Sequence, residues 1–181
     1  MQATKTRNEL WLDLGLVAFL IALDVVARLT PHPWGFLPVA ASGLFAGRVL
    51  KHPALAVVVP LLAMAISDAL LPAESVRTML VIYVAMAIPA LAGMLSRRLN
   101  GPLATAAIMV ACSLIFFVTS NLAVWAFGHM YPHSLEGLTQ CYIAALPFLE
   151  KTVMGDLFWT GVLFGGYWLV QHGPSLLRRA D

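Results

Sequence analysis

Six long apolar stretches, separated by short polar segments, limit the possible folds of this chain more than any other feature. Most are close to the ~20 residues that cross the hydrocarbon core of a bilayer as a helix. Lipid offers no hydrogen-bond partner to a peptide group, so such stretches fold as helices whose backbone groups pair internally. The pattern predicts an all-α membrane protein, with a single transmembrane domain over residues 1–181 and six transmembrane helices. Their predicted bounds are about 10–29, 36–50, 53–71, 76–95, 103–127 and 154–170.

The composition agrees with this class and excludes a soluble domain. Of the 181 residues, 60% are hydrophobic and only 11% are charged, and the mean hydropathy is +0.84. A soluble domain of this size would have to leave much of that apolar surface in water. The formal net charge of +2 does not indicate a nucleic-acid partner. The partner that the composition predicts is the lipid bilayer.

The sequence lacks the short motifs of common membrane chemistries. There is no G-x-x-x-x-G-K-[ST] loop for ATP, no H-E-x-x-H and no G-x-S-x-G. We therefore expect a protein that is not an enzyme and that does not hydrolyse ATP itself.

A more polar segment, residues 128–153, separates the fifth and sixth apolar stretches. Residues 135–149 are apolar enough to form a helix, but Glu136, Gln140 and Glu150 are too polar for a full span. The sequence therefore predicts an extra interfacial or re-entrant helix between helices five and six.

The positions of the basic residues predict the orientation. With six helices, eight of the eleven Lys and Arg residues fall on one side of the membrane. They are Lys5, Arg7, Arg48, Lys51, Arg97, Arg98, Arg178 and Arg179. Cytoplasmic loops are enriched in Lys and Arg, so both termini are predicted to be cytoplasmic.

One face of the fifth helix combines polar and aromatic side chains. Asn121 and Trp125 are four residues apart and share a face, which Ser113, Phe117 and Ser120 extend. Ligand pockets are typically apolar and aromatic, with a few polar groups that orient the ligand. This face is therefore a candidate pocket wall. The alternative is an interhelical hydrogen bond from Asn121 together with an interfacial aromatic anchor at Trp125.

Charged residues near the predicted outer ends of helices one and three form a second candidate group. Asp24 and Arg28 are spaced as an i,i+4 pair, which indicates either a local ion pair or a ligand contact. Asp68 has no partner nearby in the sequence. It is either a substrate contact or the partner of Arg28 in a salt bridge.

Two helices carry small residues four positions apart, Ala18 and Ala22 in helix one and Gly43 and Gly47 in helix two. Small residues at this spacing let two helix backbones approach closely. The cysteines and histidines, by contrast, show no metal-ligand spacing, and Pro132 argues against a helical His129–His133 pair. We expect no metal site and no resident cofactor.

Several motifs together resemble a known family of small bacterial membrane proteins. The motifs are Pro31-His32-Pro33, Phe36, Pro38, Ser67-Asp68, Ser113, Phe116-Phe117, Asn121, Trp125, Tyr131-Pro132, Gly137-Leu138, Cys141-Tyr142 and Pro147-Phe148. They are similar to the substrate-binding (S) components of energy-coupling factor (ECF) transporters, nearest to the cobalamin-type S component. The resemblance runs from about residue 28 to 165.

This resemblance implies an S-component-like fold in the bacterial cytoplasmic (inner) membrane and uptake of a vitamin or cofactor precursor, with cobalamin as one candidate. Ligand would enter an outward-facing pocket. The partners implied are a transmembrane coupling subunit and its ATPases, docked at Ala18 and Ala22. Cobalamin-type pockets ligate cobalt through a cysteine, and residues 71–80, where we would expect it, contain none.

We therefore expect a substrate-binding membrane subunit with a vitamin-like ligand. Two alternatives remain: a small membrane enzyme that uses Asp68, Asp156 or the histidines as acids and bases, and an accessory subunit without a ligand. The predicted substrate-binding residues are Asn121, Trp125, Asp68, Tyr142, His32, Phe117, Tyr131 and Arg28.

Overall fold

The chain folds into six helices in a computed structural model, which describes residues 2–31, 35–71, 75–99 and 101–177. The helices are α1 (Gln2–Leu29), α2 (Val39–Val49), α3 (Pro53–Asp68), α4 (Val76–Leu95), α5 (Pro102–Phe127) and α6 (Leu135–Leu177). Strands are absent from these described ranges, so the all-α prediction is confirmed.

Among the described residues, four helices are long and apolar enough to cross a membrane, which supports the membrane class. The apolar portions are Asn8–Leu29, Val76–Leu95, Pro102–Phe127 and Leu135–His172. The other two helices, α2 and α3, have 11 and 16 residues. Both are shorter than the ~20 residues of a full span.

The prediction of a separate interfacial or re-entrant helix between helices five and six is wrong. α6 is one continuous helix of 43 residues, ~65 Å long at 1.5 Å per residue. The polar residues near Glu150 and Lys151 interrupt the hydropathy, but Glu and Lys are good helix formers and do not interrupt the backbone. The same reason explains why α1 begins at Gln2 and not near residue 10: its first turns are polar but helical.

The short helix α2 lies at the centre of the bundle, where it packs against each of the other five helices. Nine consecutive residues, Val39–Gly47, are buried. The approach to α4 is the tightest, because a Cβ at Gly47 would overlap the Ala90 carbonyl and one at Gly93 would overlap the Leu44 carbonyl. The small residues predicted to allow close packing in helix two do so.

Three basic residues meet at one end of the bundle. Lys51 forms an ion pair with Glu9, 2.6 Å apart. Arg97 donates to the carbonyls of Gly47 and Leu50, at 2.9 and 2.8 Å, and Arg48 lies in the same region. We call this the basic end, and it includes the start of α5. These contacts join loops that the alternation of six helices places on one side. The orientation of the basic end toward the cytoplasm stays a prediction.

Candidate functional site

A cavity of about 120 Å³ lies inside the bundle. Its walls are α4, α5, α6, the start of α2 and the segment before it, with one residue each from α1 and α3. Most of its lining is apolar, with a few polar groups among the apolar ones. The lining residues are Arg28, Gly35, Leu37, Val39, Ala40, Met64, Ile82, Ala85, Met86, Pro89, Cys112, Ser113, Phe116, Thr152 and Asp156. We call it the central cavity.

A buried serine–aspartate pair forms the polar part of this wall. The Ser113 hydroxyl donates to Asp156 Oδ2 at 2.6 Å, and it also lies 3.0 Å from the Met109 carbonyl oxygen. The exposed fractions of Ser113 and Asp156 are 1% and 4%. A carboxyl group so deep in an apolar bundle is costly, so such residues usually serve a function or pair with another polar group.

Two glycines bring α6 close enough to complete this wall. Gly35 has φ +80°, a left-handed conformation that favours glycine, and a Cβ there would lie 2.6 Å from Thr152 Oγ1. A Cβ at Gly155 would lie 2.8 Å from the Phe36 Cα. The segment before α2 therefore lies directly on α6, beside Thr152 and Asp156.

A second cavity of about 190 Å³ lies between α5 and α6, next to the first. Phe116 and Thr152 line both cavities, so these two side chains form the partition. Phe117 and Asn121, two of the predicted site residues, line this second cavity. The Asn121 amide donates to the Phe117 carbonyl of its own helix at 2.8 Å.

Trp125 and Tyr142 hold the loop and α6 against α5 and lie outside both cavities. Trp125 Nε1 donates to the Pro132 carbonyl at 2.9 Å, and its ring meets the His133 ring edge-on. The Tyr142 hydroxyl donates to the Val118 carbonyl at 2.7 Å. The shared face of Asn121 and Trp125 is therefore divided between a cavity wall and a structural anchor.

Arg28 and Asp68 form an ion pair between α1 and α3, so the salt-bridge interpretation of Asp68 is confirmed. Arg28 Nε also donates to Ser67 Oγ at 2.6 Å, and the Tyr83 hydroxyl donates to Asp68 Oδ2 at 3.0 Å. Arg28 lines the central cavity, and its ion pair with Asp68 holds the Arg28 side chain in place. Asp24 instead accepts a hydrogen bond from Ser42 at 2.8 Å.

The remaining predicted residues are placed as follows. Tyr131 is half-buried in the loop between α5 and α6 and is not among the residues that line either cavity. His32 lies outside the described residues. Ala18 and Ala22 are exposed on α1, so neither supports close packing within the chain. In the part of the chain that the structure describes, no three His, Cys, Asp or Glu residues are grouped to hold a metal.

The role of Asp156 beside the cavity was missed by sequence reasoning, which placed it among outer-face acids and bases. The available signal was a carboxylate inside an apolar stretch, which by itself marks a functional candidate. Its partner Ser113 lies 43 residues away. Sequence alone offers no means of pairing two residues that lie on different helices and so far apart in the chain.

A comparison with protein-family models matches residues 8–177 to a family of unknown function, DUF6580. No curated protein and no solved structure matches the chain. The matched region contains every residue that lines the two cavities. The chain belongs to the DUF6580 family.

Proposed function

We propose that this chain is a substrate-binding membrane subunit that holds a small vitamin or cofactor precursor in the central cavity for uptake. The observation that carries the proposal is the Ser113–Asp156 pair, which is buried but opens on a cavity. A polar pair that served packing alone would be enclosed by side chains. The mixed lining, apolar with a few polar groups, is typical of small-molecule sites.

The cavity volumes favour a compact ligand. Small-molecule pockets usually measure about 300–1,000 Å³. The central cavity and its neighbour, about 120 and 190 Å³, together reach the lower end of that range. Movement of Phe116 would join them. Cobalamin is far larger than this space, so the proposal favours a smaller vitamin or precursor, with a hydrogen-bond donor for Asp156.

The uptake part of the proposal rests on the resemblance to ECF S components, including six spans in a bacterial inner membrane with both termini cytoplasmic. One surface feature supports it: α1 exposes Ala18 and Ala22, beside Trp11 at 66% and Phe19 at 59% exposure. Small residues on an exposed apolar helix suit close docking of another transmembrane helix. The proposed partner is a coupling subunit with ATPases.

A native mass spectrum of the detergent-purified protein tests the binding role. We expect one co-purified small molecule per chain, or binding of one compound from a panel of vitamins and precursors. Conversion of that compound to a product would instead indicate an enzyme. No bound compound, together with stable association with another membrane protein, would indicate an accessory subunit.

The docking role has a separate test in cells. Ala18→Trp and Ala22→Trp should abolish uptake while leaving ligand retention by the purified protein unchanged, because both positions face away from the cavities. The matched control is Phe19→Trp, a change of one exposed aromatic to another on the same helix. Unchanged uptake in both alanine variants would contradict docking through this face.

A further inference from the structure

A third space, distinct from the two cavities, lies at the basic end of the molecule. It is an open groove of about 930 Å³ between α2, α5 and α6, with part of the α4–α5 connection. The residues that line it are Arg48, Val49, Arg97, Gly101, Pro102, Thr105, Ala106, Leu157, Thr160, Gly161, Phe164, Gly165, Tyr167, Trp168 and Gln171. None of these lines the central cavity, so the groove needs its own explanation.

Arg48 is the main charge in the groove, and its partners are neutral. Nε donates to Ser96 Oγ at 3.0 Å, and Nη1 donates to Thr105 Oγ1 at 2.6 Å. The guanidinium carbon lies 5.7 Å from the centre of the Phe164 ring. Nη2 is buried and has no hydrogen-bond partner among the described residues. The positive charge is therefore held in position but is not neutralised.

Arg97 adds a second positive charge with neutral partners. Its described hydrogen bonds go to the carbonyls of Gly47 and Leu50. Across residues 2–31, 35–71, 75–99 and 101–177, no carboxylate forms an ion pair with Arg48 or Arg97. Two guanidinium groups without a counter-ion indicate a site for an anion.

Two further features point to a ligand in the same groove. The Thr160 side chain is 6% exposed, and its hydroxyl oxygen has no hydrogen-bond partner within the described ranges. α5 begins at Pro102, and the N-cap residue before it, Gly101, supplies no side-chain cap. The free N–H groups of the first turn of a helix carry partial positive charge and favour an anion.

The rest of the groove is apolar and aromatic. Phe164, Tyr167 and Trp168 follow one another along α6, with Leu157 nearer its middle. A free inorganic anion would leave these walls uncovered. An anionic headgroup attached to acyl chains would satisfy both parts, and basic pockets between transmembrane helices bind such lipids.

We propose that this groove binds an anionic phospholipid, whose headgroup contacts Arg48, Arg97, Thr160 and the start of α5. The acyl chains lie against the aromatic side chains of α6. The site does not depend on the ligand of the central cavity. It would couple the basic end of the protein to the lipid composition of its membrane.

The test is a lipid competition followed by native mass spectrometry. Purified full-length protein is equilibrated with vesicles that contain equal amounts of phosphatidylglycerol and phosphatidylcholine, then extracted and weighed with its bound lipid. The wild-type protein should retain phosphatidylglycerol in preference to phosphatidylcholine. Arg48→Gln should reduce that preference about tenfold, equivalent to ~1.4 kcal/mol, because a charged hydrogen bond to the phosphate is lost. Arg98→Gln, an exposed arginine at the same end, should retain it.

A second variant keeps the test valid if Arg48→Gln does not fold. Thr160→Val keeps the shape of the side chain and removes the unpaired hydroxyl, so it should fold and should lower the preference several-fold. Equal retention of both lipids by the wild-type protein would overturn the proposal. So would an unchanged preference in Arg48→Gln and Thr160→Val, or tight binding of inorganic phosphate that phosphatidylglycerol does not displace.

Discussion

Two buried aspartate–serine pairs have the same chemistry but different surroundings. Asp24 accepts from Ser42 between α1 and α2, and Asp156 accepts from Ser113 between α6 and α5. Exposed fractions are 0% for Asp24 and Ser42, 4% for Asp156 and 1% for Ser113. Only the Asp156 pair lines the central cavity.

The difference separates packing from binding. Asp24 Oδ2 is buried without a hydrogen-bond partner in the described part of the chain, and side chains surround it. That pair joins two helices, as polar groups in membrane bundles often do. The Asp156 pair faces space that a ligand or water can fill. Burial of a carboxylate in a membrane helix therefore does not identify a binding site until the space beside it is known.

Filling the cavity should have the largest effect on binding. Ala85 lines the central cavity and is 3% exposed. Ala85→Leu places three more carbon atoms in that space, so we expect ligand retention to fall by about a hundredfold or more, equivalent to ~2.7 kcal/mol. The melting temperature should stay the same or rise, because the new atoms occupy a cavity. Retention is measured by native mass spectrometry and stability by thermal unfolding in detergent.

The matched control is Ala90→Leu on the same helix. Ala90 is fully buried, and its carbonyl lies against Gly47. A larger side chain there has no space, so this variant should lower stability by ~1–3 kcal/mol. If Ala85→Leu instead bound ligand as tightly as the wild-type protein, the central cavity would not be the ligand site.

Removing one serine from each pair should have an intermediate effect and should sharpen the comparison. Ser113→Ala should weaken ligand binding about tenfold, because a hydrogen-bonded group in the cavity wall is lost. Ser42→Ala should leave affinity within about twofold and should cost the greater stability, ~1–3 kcal/mol, because the Asp24 carboxyl then has no partner. Water in the cavity can replace the hydroxyl beside Asp156 but not the one beside Asp24. Calorimetric titration and thermal unfolding of both variants distinguish these outcomes; equal losses of affinity would contradict them.

Tyr142 should have the smallest effect, although the sequence placed it in the site. Tyr142→Phe removes the hydrogen bond to the Val118 carbonyl, which should lower stability by ~0.5–1.5 kcal/mol. Ligand affinity should not change, since the residue lies outside both cavities. Thr139→Ala, on the exposed side of the same helix, is the control for loss of a hydroxyl. An affinity loss in Tyr142→Phe larger than that of Ser113→Ala would place the ligand beside Tyr142 and not in the central cavity.

The sequence predicted the fold better than the site, and the reason is physical. Hydropathy identified the apolar portions of all six helices, because the cost of an unpaired peptide group in lipid allows few alternatives. It divided α6 in two because Glu150 and Lys151 lower hydropathy without breaking a helix. Small residues in α2 correctly indicated close packing, but the spacing could not show that the partner was Gly93 on α4.

The site depended on contacts between distant residues. Asn121 lines the second cavity, but Trp125, on the same helical face, bonds to the loop. Sequence spacing predicts which residues share one face of a helix. It does not predict which residues of the other helices or loops pack against that face. The salt bridge between Arg28 and Asp68 could be predicted from the sequence, because both residues lie at similar depth in the predicted helices. The Ser113–Asp156 pair joins two different helices, and sequence spacing does not predict which residues of two helices meet.

The most direct test of the central claim compares Asp156→Asn with Asp24→Asn. Native mass spectrometry of both variants, purified in the same detergent, gives the fraction of chains that retain the small molecule found on the wild-type protein. Asparagine keeps the size of each side chain and removes its capacity for negative charge. Asp156→Asn should lose most of the ligand, at least a tenfold reduction in affinity or ~1.4 kcal/mol, while Asp24→Asn should retain it at the wild-type level. Retention by Asp156→Asn, or equal loss from both folded variants, would contradict the assignment of the ligand to the central cavity.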